Sequence, residues 1–425
     1  MNEPILRYTE ALCPVCRKRL PAAYIQRGDA VCLRRSCPEH GEFSVPVWRG
    51  FFDFSRWVQA APELAPGENA ACPGGCATCE DHLQNACCVL LPVTDRCNLN
   101  CTYCVADPGN KPDPLLEQIK TQLGELTVPG QTLVQLSGGE PTTREDLTEI
   151  IGAAKAYGCA HVQLNTNGIR LGEDAGFVKK LADAGLSFVF MQFDGLDDGV
   201  YKALRNRPLL EIKIKAIEHC GRHNIGVVLV PTMVPGINTA QAGEIVRFAV
   251  ERSPVVRGVH FQPVSYFGRS PVNAWEAPRY TLDGLLNDII TQSGLVSESD
   301  FAPSRCDHPL CGFHGDFIAM PDGTLKPLKT RETELAPCCG PGSADKNRDF
   351  VARRWSMSKD GVTPSCCEPD LTDMEQFAAR AGSHGFTITA MAFQDAATLD
   401  IARLRQCSLH VYAEGRHVPF CAYYL

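Results

Sequence analysis

One stretch of the chain indicates the fold: Val89-Leu-Leu-Pro-Val-Thr-Asp-Arg-Cys97-Asn-Leu-Asn-Cys101-Thr-Tyr-Cys104. It begins with an apolar, β-branched run and continues into a loop with three cysteines in a C-x3-C-x2-C arrangement. A cuboidal [4Fe–4S] cluster normally takes four cysteines, so a three-ligand loop leaves one iron open to a small molecule. We therefore predict that Cys97, Cys101 and Cys104 hold a [4Fe–4S] cluster at the end of a strand.

Strand and helix patterns alternate from this stretch onward, which is typical of repeated βα units. Six apolar runs predict strands at Val89–Thr94, Leu133–Ser137, His161–Asn165, Ser187–Phe193, Ile225–Pro231 and Gly258–Pro263. Amphipathic segments between them predict helices near Leu115–Leu126, Arg144–Tyr157, Ala175–Ala184, Leu209–His223 and Ala240–Glu251. Right-handed crossovers would curl six such units into an α/β partial (βα)6 barrel, with ligands at the carboxyl ends of the strands.

Polar motifs follow the next three predicted strands. They are Ser137-Gly138-Gly139-Glu140-Pro141, Asn165-Thr-Asn167-Gly and Gln192-Phe-Asp194-Gly. With the cysteine loop and the six βα units, the first of these resembles the radical SAM superfamily and its GGEP motif. The resemblance implies an enzyme whose [4Fe–4S] cluster binds S-adenosylmethionine and, once reduced, cleaves it to methionine and a 5′-deoxyadenosyl radical.

The resemblance also implies roles for single residues. Cys97, Cys101 and Cys104 would hold the cluster, and Tyr103 would lie against the adenine. The segment from Ser137 to Pro141 would bind the methionyl part, because Gly138 and Gly139 allow close backbone approach and Glu140 can neutralise the amine. Asn165, Asn167 and Asp194 would hold the ribose and carboxylate. Turn chemistry is the alternative for the two asparagines, and a cap or turn for Asp194.

Cysteine is unusually frequent, at 22 of 425 residues. Disulfides are one explanation, but they belong to secreted chains, so metal binding fits the short gaps between cysteines better. Cys72, Cys76 and Cys79 repeat the spacing of the first loop and predict an auxiliary [4Fe–4S] cluster, with structural zinc as the alternative. A second auxiliary cluster is predicted from Cys306, Cys311, Cys407 and Cys421. The pairs Cys338-Cys339 and Cys366-Cys367 would suit spare ligands, a redox relay or a thiol reaction site.

The amino-terminal cysteines predict a separate mononuclear site. Cys13-Pro-Val-Cys16 and Cys37-Pro-Glu-His40 form two knuckles that can hold one tetrahedral ion, zinc or a rubredoxin-like iron. We favour Cys13, Cys16, Cys37 and His40 as the ligands, with Cys32 as the alternative. Few periodic apolar segments occur here, so this region is expected to depend on metal rather than on a large core.

Composition divides the chain into three regions: 1–88, with the metal ribbon and an auxiliary cluster; 89–263, the partial barrel; and 264–425, a mixed α+β region with another cluster. The third region opens with a predicted helix at Leu282–Ser293. Hairpin signals follow at Asp322-Gly323 and Glu414-Gly415.

The order of motifs from Ala11 to Tyr423 is similar to one branch of the superfamily. That branch contains the tetraether lipid synthase and the class D radical SAM methyltransferases. The similarity implies hydrogen abstraction from an unactivated C–H bond, for C–C bond formation or C-methylation of a small molecule or lipid. It also implies a reductant such as ferredoxin or flavodoxin.

Charge and hydropathy argue against other classes. Lys and Arg number 41 against 49 Asp and Glu, a net charge of -8, so a nucleic-acid partner and a zinc-ribbon nucleic-acid binder are not expected. The sequence has no apolar run of roughly 18 residues and no signal-peptide pattern, which predicts the cytoplasm. The remaining alternative is a non-catalytic iron–sulfur electron carrier or maturation scaffold, which would explain the cysteines but not the GGEP element.

Overall fold

The computed structural model describes residues 3–59, 61, 82–107, 109, 112–304, 307–328, 354–357 and 373–425. The first part is an antiparallel sheet followed by a short helix, with elements β1 Ile5–Leu12, β2 Arg19–Arg27, β3 Ala30–Cys37, β4 Gly41–Trp48 and α1 Phe54–Trp57. Ala11, Tyr24 and Trp48 are buried in the same cluster as the core of the next region. This part therefore contributes more apolar side chains to the core than its sequence pattern predicted. Cysteine, proline and charged residues interrupt the apolar alternation of these strands.

The second part is a parallel sheet, with strands β5 Cys88–Thr94, β6 Leu133–Gly138, β7 His161–Thr166, β8 Phe188–Gln192, β9 Gly226–Val230, β10 Thr232–Met233 and β11 Val256–Pro263. Strands β5 to β9 and β11 are neighbours in chain order, and every pair among them is parallel. The six predicted strands and the partial barrel are thus confirmed.

Helices connect these strands, with bounds α2 Leu116–Leu126, α3 Leu147–Ala156, α4 Ile169–Glu173, α5 Ala175–Asp183, α6 Asp198–Arg205, α7 Leu210–Arg222 and α8 Ala242–Glu251. The prediction omits α4 and α6, which have five and eight residues. Asp197 begins α6, since its side chain accepts a hydrogen bond from the Val200 backbone N–H at 3.1 Å.

The third part supplies α9 Leu282–Ser293, β12 Ala302–Pro303, β13 Gly312–Ala319, β14 Leu325–Pro327, α10 Asp373–Ser383, β15 Gly385–Met391, α11 Ile401–Arg405, β16 Leu409–Ala413, β17 Arg416–Pro419 and α12 Phe420–Tyr423. Strand β15 pairs in parallel with β11, and β16 pairs in parallel with β5. The carboxyl-terminal region therefore extends the barrel sheet at both edges. The two hairpins predicted at Asp322-Gly323 and Glu414-Gly415 join β13 to β14 and β16 to β17.

The alternation along β7 shows how the barrel positions polar groups. Val162 and Leu164 are fully buried in the core, while Gln163 and Asn165, on the opposite face of the strand, line a cavity inside the barrel. In the part of the chain that the structure describes, every helix is too short or too polar to cross a membrane.

Candidate active site

The three cysteines of the first loop lie at one wall of a cavity of about 420 Å³. The loop is fixed by its neighbours: Thr102 donates a backbone N–H to the Leu204 carbonyl, and Cys104 exchanges two backbone hydrogen bonds with Arg269. Burial raises the pKa of the Cys97 thiol to about 11. A bound cation would offset this, because metal ligation stabilises the thiolate. Cys97 interacts electrostatically with Cys101 and Cys104, and all three line the cavity, which fits the three-ligand iron–sulfur cluster expected here.

All of the residues predicted to bind the cofactor line this cavity except Pro141 and Asp194. The lining members are Cys97, Cys101, Cys104, Tyr103, Ser137, Gly138, Gly139, Glu140, Asn165 and Asn167. Tyr103 packs edge-on against Tyr266, with ring centroids 6.1 Å apart. Pro141 lies just outside and begins a short 3-10 turn, Pro141–Thr143.

The two glycines after β6 are needed for contact with the cysteine loop. A Cβ on Gly138 would lie 2.1 Å from the Thr94 carbonyl oxygen, and one on Gly139 would lie 2.2 Å from that of Arg96. The backbone N–H groups of Gly139 and Glu140 donate to these same two oxygens, each at 2.8 Å. The glycines therefore allow the end of β6 to pack directly on the loop, a role that their sequence alone did not reveal.

The Glu140 carboxylate is buried and already bonded within the protein. One oxygen accepts from the backbone N–H and hydroxyl of Thr142, at 3.0 and 2.6 Å, and from the Thr166 hydroxyl at 2.7 Å. The other accepts from the Asn167 backbone N–H at 2.6 Å. Four donors occupy this group, so its clearest role in the structure is to tie β6 to the loop after β7.

The Asn167 side chain stabilises a turn and also contacts the cysteine loop. Its side-chain oxygen accepts from the Ile169 backbone N–H at 3.0 Å, and its amide donates to the Asn98 side chain at 2.6 Å. Gly168 follows with a φ of +76°, as a tight turn requires. Asn165 instead faces the lumen, where it bonds to Gln163 and Gln135 at 2.6 and 3.3 Å.

Asp194 is fully buried and forms a bidentate ion pair with Arg205, with both N···O distances at 2.7 Å. Arg205 also donates to the carbonyl of Tyr103 at 3.4 Å and to the Thr232 hydroxyl at 3.1 Å. The carboxylate is thus neither a cap nor a turn residue, and it does not line the cavity. It anchors an arginine that reaches the cysteine loop.

Sequence reasoning missed two buried cations, Arg205 and Lys213. The Lys213 ammonium donates to the carbonyls of Asn167 and Gln192, at 2.5 and 2.7 Å, and so joins the ends of β7 and β8. Burial lowers the pKa of Lys213 to about 8. A lysine on the apolar face of α7 was the available signal, since charged residues are seldom fully buried without partners.

The amino-terminal knuckles meet as expected for a tetrahedral site. The ligand atoms of Cys13, Cys16, Cys37 and His40 all lie within 4.8 Å of one another. The His40 hydrogen bond holds the pKa of Cys37 below its ordinary value. Cys32 lies elsewhere, packed with Ala23 and Ile25. The geometry therefore favours the set with His40 over the one with Cys32.

The described carboxyl-terminal cysteines also approach one another. Cys311, Cys407 and Cys421 interact electrostatically, and burial raises the pKa of each thiol. Arg403 lies within 3.5 Å of the Cys311 sulfur, and the Gln394 backbone N–H within 3.2 Å of the Cys421 sulfur.

Several predicted ligands lie outside the described residues. They are Cys72, Cys76, Cys79, Cys306, Cys338, Cys339, Cys366 and Cys367. Two other cysteines, Cys159 and Cys220, are buried in the main core and away from the cavity.

Comparison with known proteins identifies the family. The model of the radical SAM superfamily matches residues 91–249, and that of the HMPTM N-terminal zinc ribbon domain matches residues 5–49. The 7,8-dihydro-6-hydroxymethylpterin dimethyltransferase of Methanocaldococcus jannaschii is 32% identical over 98% of this chain and 92% of that protein. The probable GTP 3',8-cyclase of Methanococcus aeolicus is 27% identical over 61% of this chain and 92% of that protein.

Among solved structures, Streptococcus suis SuiB bound to precursor peptide SuiA is 18% identical, with a TM-score of 0.40, over 50% of this chain and 48% of that chain. The near full-length match to the dimethyltransferase carries the assignment, and it favours an enzyme over an electron carrier or scaffold. The chain belongs to the radical SAM superfamily, in the branch of the class D methyltransferases.

Proposed function

We propose that this enzyme abstracts hydrogen from a carbon atom of a reduced pterin, or of a flat heterocycle of the same kind, and that this carbon then receives a methyl group from a separate one-carbon donor. The S-adenosylmethionine that yields the radical cannot be that donor, because its own methyl group leaves on methionine. The observation that carries the proposal is the match along nearly the whole chain to a pterin dimethyltransferase. When bound, the cluster supplies one electron that splits S-adenosylmethionine into methionine and a 5′-deoxyadenosyl radical, which takes a hydrogen atom from a C–H bond.

The protein would position the cofactor and the substrate and enclose them in one cavity. The cysteine loop and the amide-lined interior of the barrel share one cavity, so the cofactor and substrate can meet inside it. Glu140, Asn167 and Arg205 each bind the loop or the strand ends beside it. Such fixed contacts hold reacting groups in register, which is a large part of enzymatic rate enhancement.

The charges at the cavity wall favour a neutral heterocycle over a nucleoside triphosphate. Among the described lining residues the one cationic side chain is that of Arg205, and Asp194 already neutralises it. A triphosphate normally needs several cations or backbone donors. The remaining polar lining is mostly amide, hydroxyl and imidazole, which suits the mixed donors and acceptors of a pterin edge.

We also propose that the knuckle residues Cys13, Cys16, Cys37 and His40 bind one zinc or iron ion. Two auxiliary [4Fe–4S] clusters would use the Cys72 run and the carboxyl-terminal cysteines. The electron donor would be a small redox protein such as ferredoxin or flavodoxin.

Anaerobic turnover tests the function. The reconstituted full chain is reduced with dithionite in the presence of S-adenosylmethionine and either 7,8-dihydro-6-hydroxymethylpterin or GTP, and 5′-deoxyadenosine is quantified beside the pterin mass. We expect the pterin, and not GTP, to stimulate 5′-deoxyadenosine formation, and the product to gain the mass of one or two methyl groups in cell extract. Stimulation by GTP alone would overturn the pterin assignment. A variant with Cys97, Cys101 and Cys104 changed to alanine is the control, and it should form no 5′-deoxyadenosine.

A further inference from the structure

The cavity extends beyond the cofactor end into the barrel. Its cofactor end contains the cysteine loop and the GGEP segment, at the carboxyl ends of the strands. Its inner end is lined by Cys88, Leu133 and Trp355, near the amino ends of β5 and β6. Between the two lies a belt of polar side chains, of which only Asn165 is also a predicted cofactor-binding residue.

One side of this belt is a row of three amides. Gln163 donates to the Asn165 side-chain oxygen at 2.6 Å, and Asn165 donates to that of Gln135 at 3.3 Å. The row begins at the Gln163 Oε1 atom, which is buried and accepts no hydrogen bond from any described group. An unbonded buried acceptor costs about 1–3 kcal/mol. Turning the Gln163 amide towards the cavity that it lines would let a ligand N–H bond to this atom and complete the row.

The facing side of the belt is His260, on β11. Its Nδ1 atom shares a hydrogen bond with the Thr389 hydroxyl of β15 at 2.8 Å. Burial lowers the pKa of His260 to about 4, so the imidazole is neutral near pH 7. In the described part of the chain nothing bonds to its Nε2 atom, which leaves one polar position for a ligand.

An aromatic wall stands beside His260. The ring of Phe190 lies 5.5 Å from the imidazole and 4.6 Å from the Trp355 ring, measured between centroids. Aromatic faces favour stacking with flat rings. A wall of this kind between two neutral polar groups suits a planar, uncharged heterocycle better than a flexible lipid chain.

We propose that this belt binds the ring of the substrate, with Gln163 and His260 bonding to its nitrogen-containing edge and Phe190 packing against its face. The proposal rests on the proposed function and names the residues that set its substrate specificity. It also gives a role to the third region, because Thr389 of β15 orients His260.

Equilibrium binding without turnover tests the site. The reconstituted full chain, unreduced, is titrated with 6-hydroxymethylpterin, followed by the fluorescence of the pterin ring, and separately with S-adenosylmethionine. We expect His260→Phe and Gln163→Met each to weaken pterin binding by about tenfold, the value of one lost hydrogen bond. His260→Phe should leave the affinity for S-adenosylmethionine at the wild-type value, and His260→Gln should recover part of the pterin affinity.

Matched controls lie outside the cavity. Gln122, on α2, also has a buried amide oxygen without a described partner, and His219, on α7, bonds to the Leu171 carbonyl. Gln122→Met and His219→Phe should bind pterin as the wild type does. If the wild type binds pterin and both cavity variants bind it equally well, this site is overturned while the proposed function stands. Failure of the wild type to bind any pterin would overturn both, and parallel loss of S-adenosylmethionine affinity in His260→Phe would show that His260 only maintains the fold.

Discussion

The carboxylate of Glu140 accepts a hydrogen bond from the backbone N–H of Asn167 at 2.6 Å, and so joins the loop after β6 to the loop after β7. Asn167 in turn holds Asn98 of the cysteine loop. This buried charged side chain therefore acts through the backbone around it. Its bonds join the two loops and the cysteine loop into one hydrogen-bonded unit beside the proposed cofactor site.

Replacing Glu140 by glutamine should disturb this unit. The amide puts N–H donors where one oxygen now accepts, and hydrogen bonds to a buried charged group contribute about 1.5–3 kcal/mol. We expect a loss of about 2–3 kcal/mol in the free energy of unfolding and weaker binding of S-adenosylmethionine. Denaturant unfolding and cofactor titration measure the two effects. The exposed Glu145 provides the control, since Glu145→Gln should change neither quantity.

The close contact of Gly139 with the cysteine loop predicts that an added Cβ there lowers cluster content. Gly139→Ala places a Cβ 2.2 Å from the Arg96 carbonyl oxygen, a backbone atom that can move only with the cysteine loop. We expect this variant to reconstitute with less iron at the radical SAM cluster, as measured by iron and sulfide content and by the electron paramagnetic resonance signal of the reduced protein. Gly152, inside α3, has no atom within 4 Å of an added Cβ. Gly152→Ala should be stabilised by up to about 1 kcal/mol, and a similar cluster content in the two variants would contradict the steric argument.

These positions show how far the sequence could predict the site. Apolar runs and the motifs after them placed the six strands and brought ten lumen-facing positions to one cavity, because the carboxyl ends of parallel strands meet. The partners of Glu140 and Asp194 could not be predicted in this way. Thr166 comes from the next βα unit along the chain, and Arg205 lies at the end of α6, 11 residues beyond Asp194, so only the three-dimensional packing brings them to the two carboxylates.

The edges of the sheet were not predicted for a related reason. Strands β15 and β16 pair with β11 and β5, but more than 100 residues separate each from its partner along the chain. Their apolar runs are short, and nothing local indicates which edge they join. The amino-terminal sheet was missed because cysteine, proline and charged residues interrupt its alternation.

The buried Asp194–Arg205 ion pair predicts that loss of the carboxylate alone lowers stability more than replacement of both residues. Asp194→Asn leaves the Arg205 guanidinium buried without its counterion, and removing one member of such a pair costs about 3–5 kcal/mol. The double variant Asp194→Asn with Arg205→Met removes the stranded charge, so it should be more stable than Asp194→Asn alone. Chemical unfolding of the four proteins in the cycle provides the coupling energy. Equal, additive losses from both single changes would show that the pair does not act as a unit.

The ribbon predicts a selective loss of metal. Cys37→Ser should remove about one equivalent of zinc or iron from the purified protein, because a tetrahedral site loses most of its affinity with one thiolate. Cys32→Ser is the matched control, because Cys32 lies five positions before Cys37 on the same strand, β3. This variant should retain the ion. Elemental analysis measures the content, and the visible absorbance of the iron–sulfur clusters should be the same in both. Loss of metal from the Cys32 variant instead would make Cys32 the ligand.

Lys213 predicts a pH dependence of stability. Burial depresses its pKa from 10.5 to about 8, so between these values the unfolded chain holds a proton that the folded chain does not. Stability rises with pH wherever the unfolded state binds more protons, so the lysine contributes a rising term between about pH 8 and pH 10.5 and none below pH 8. Across that window the term amounts to about 3 kcal/mol. Lys213→Met lacks this term. The unfolding free energy of the wild type should therefore increase relative to that of the variant as pH rises from 8 to 10. Lys179→Met, at an exposed position, should follow the wild-type profile. A constant difference over the window would mean that Lys213 keeps an ordinary pKa, and that its bonds to Asn167 and Gln192 offset its burial.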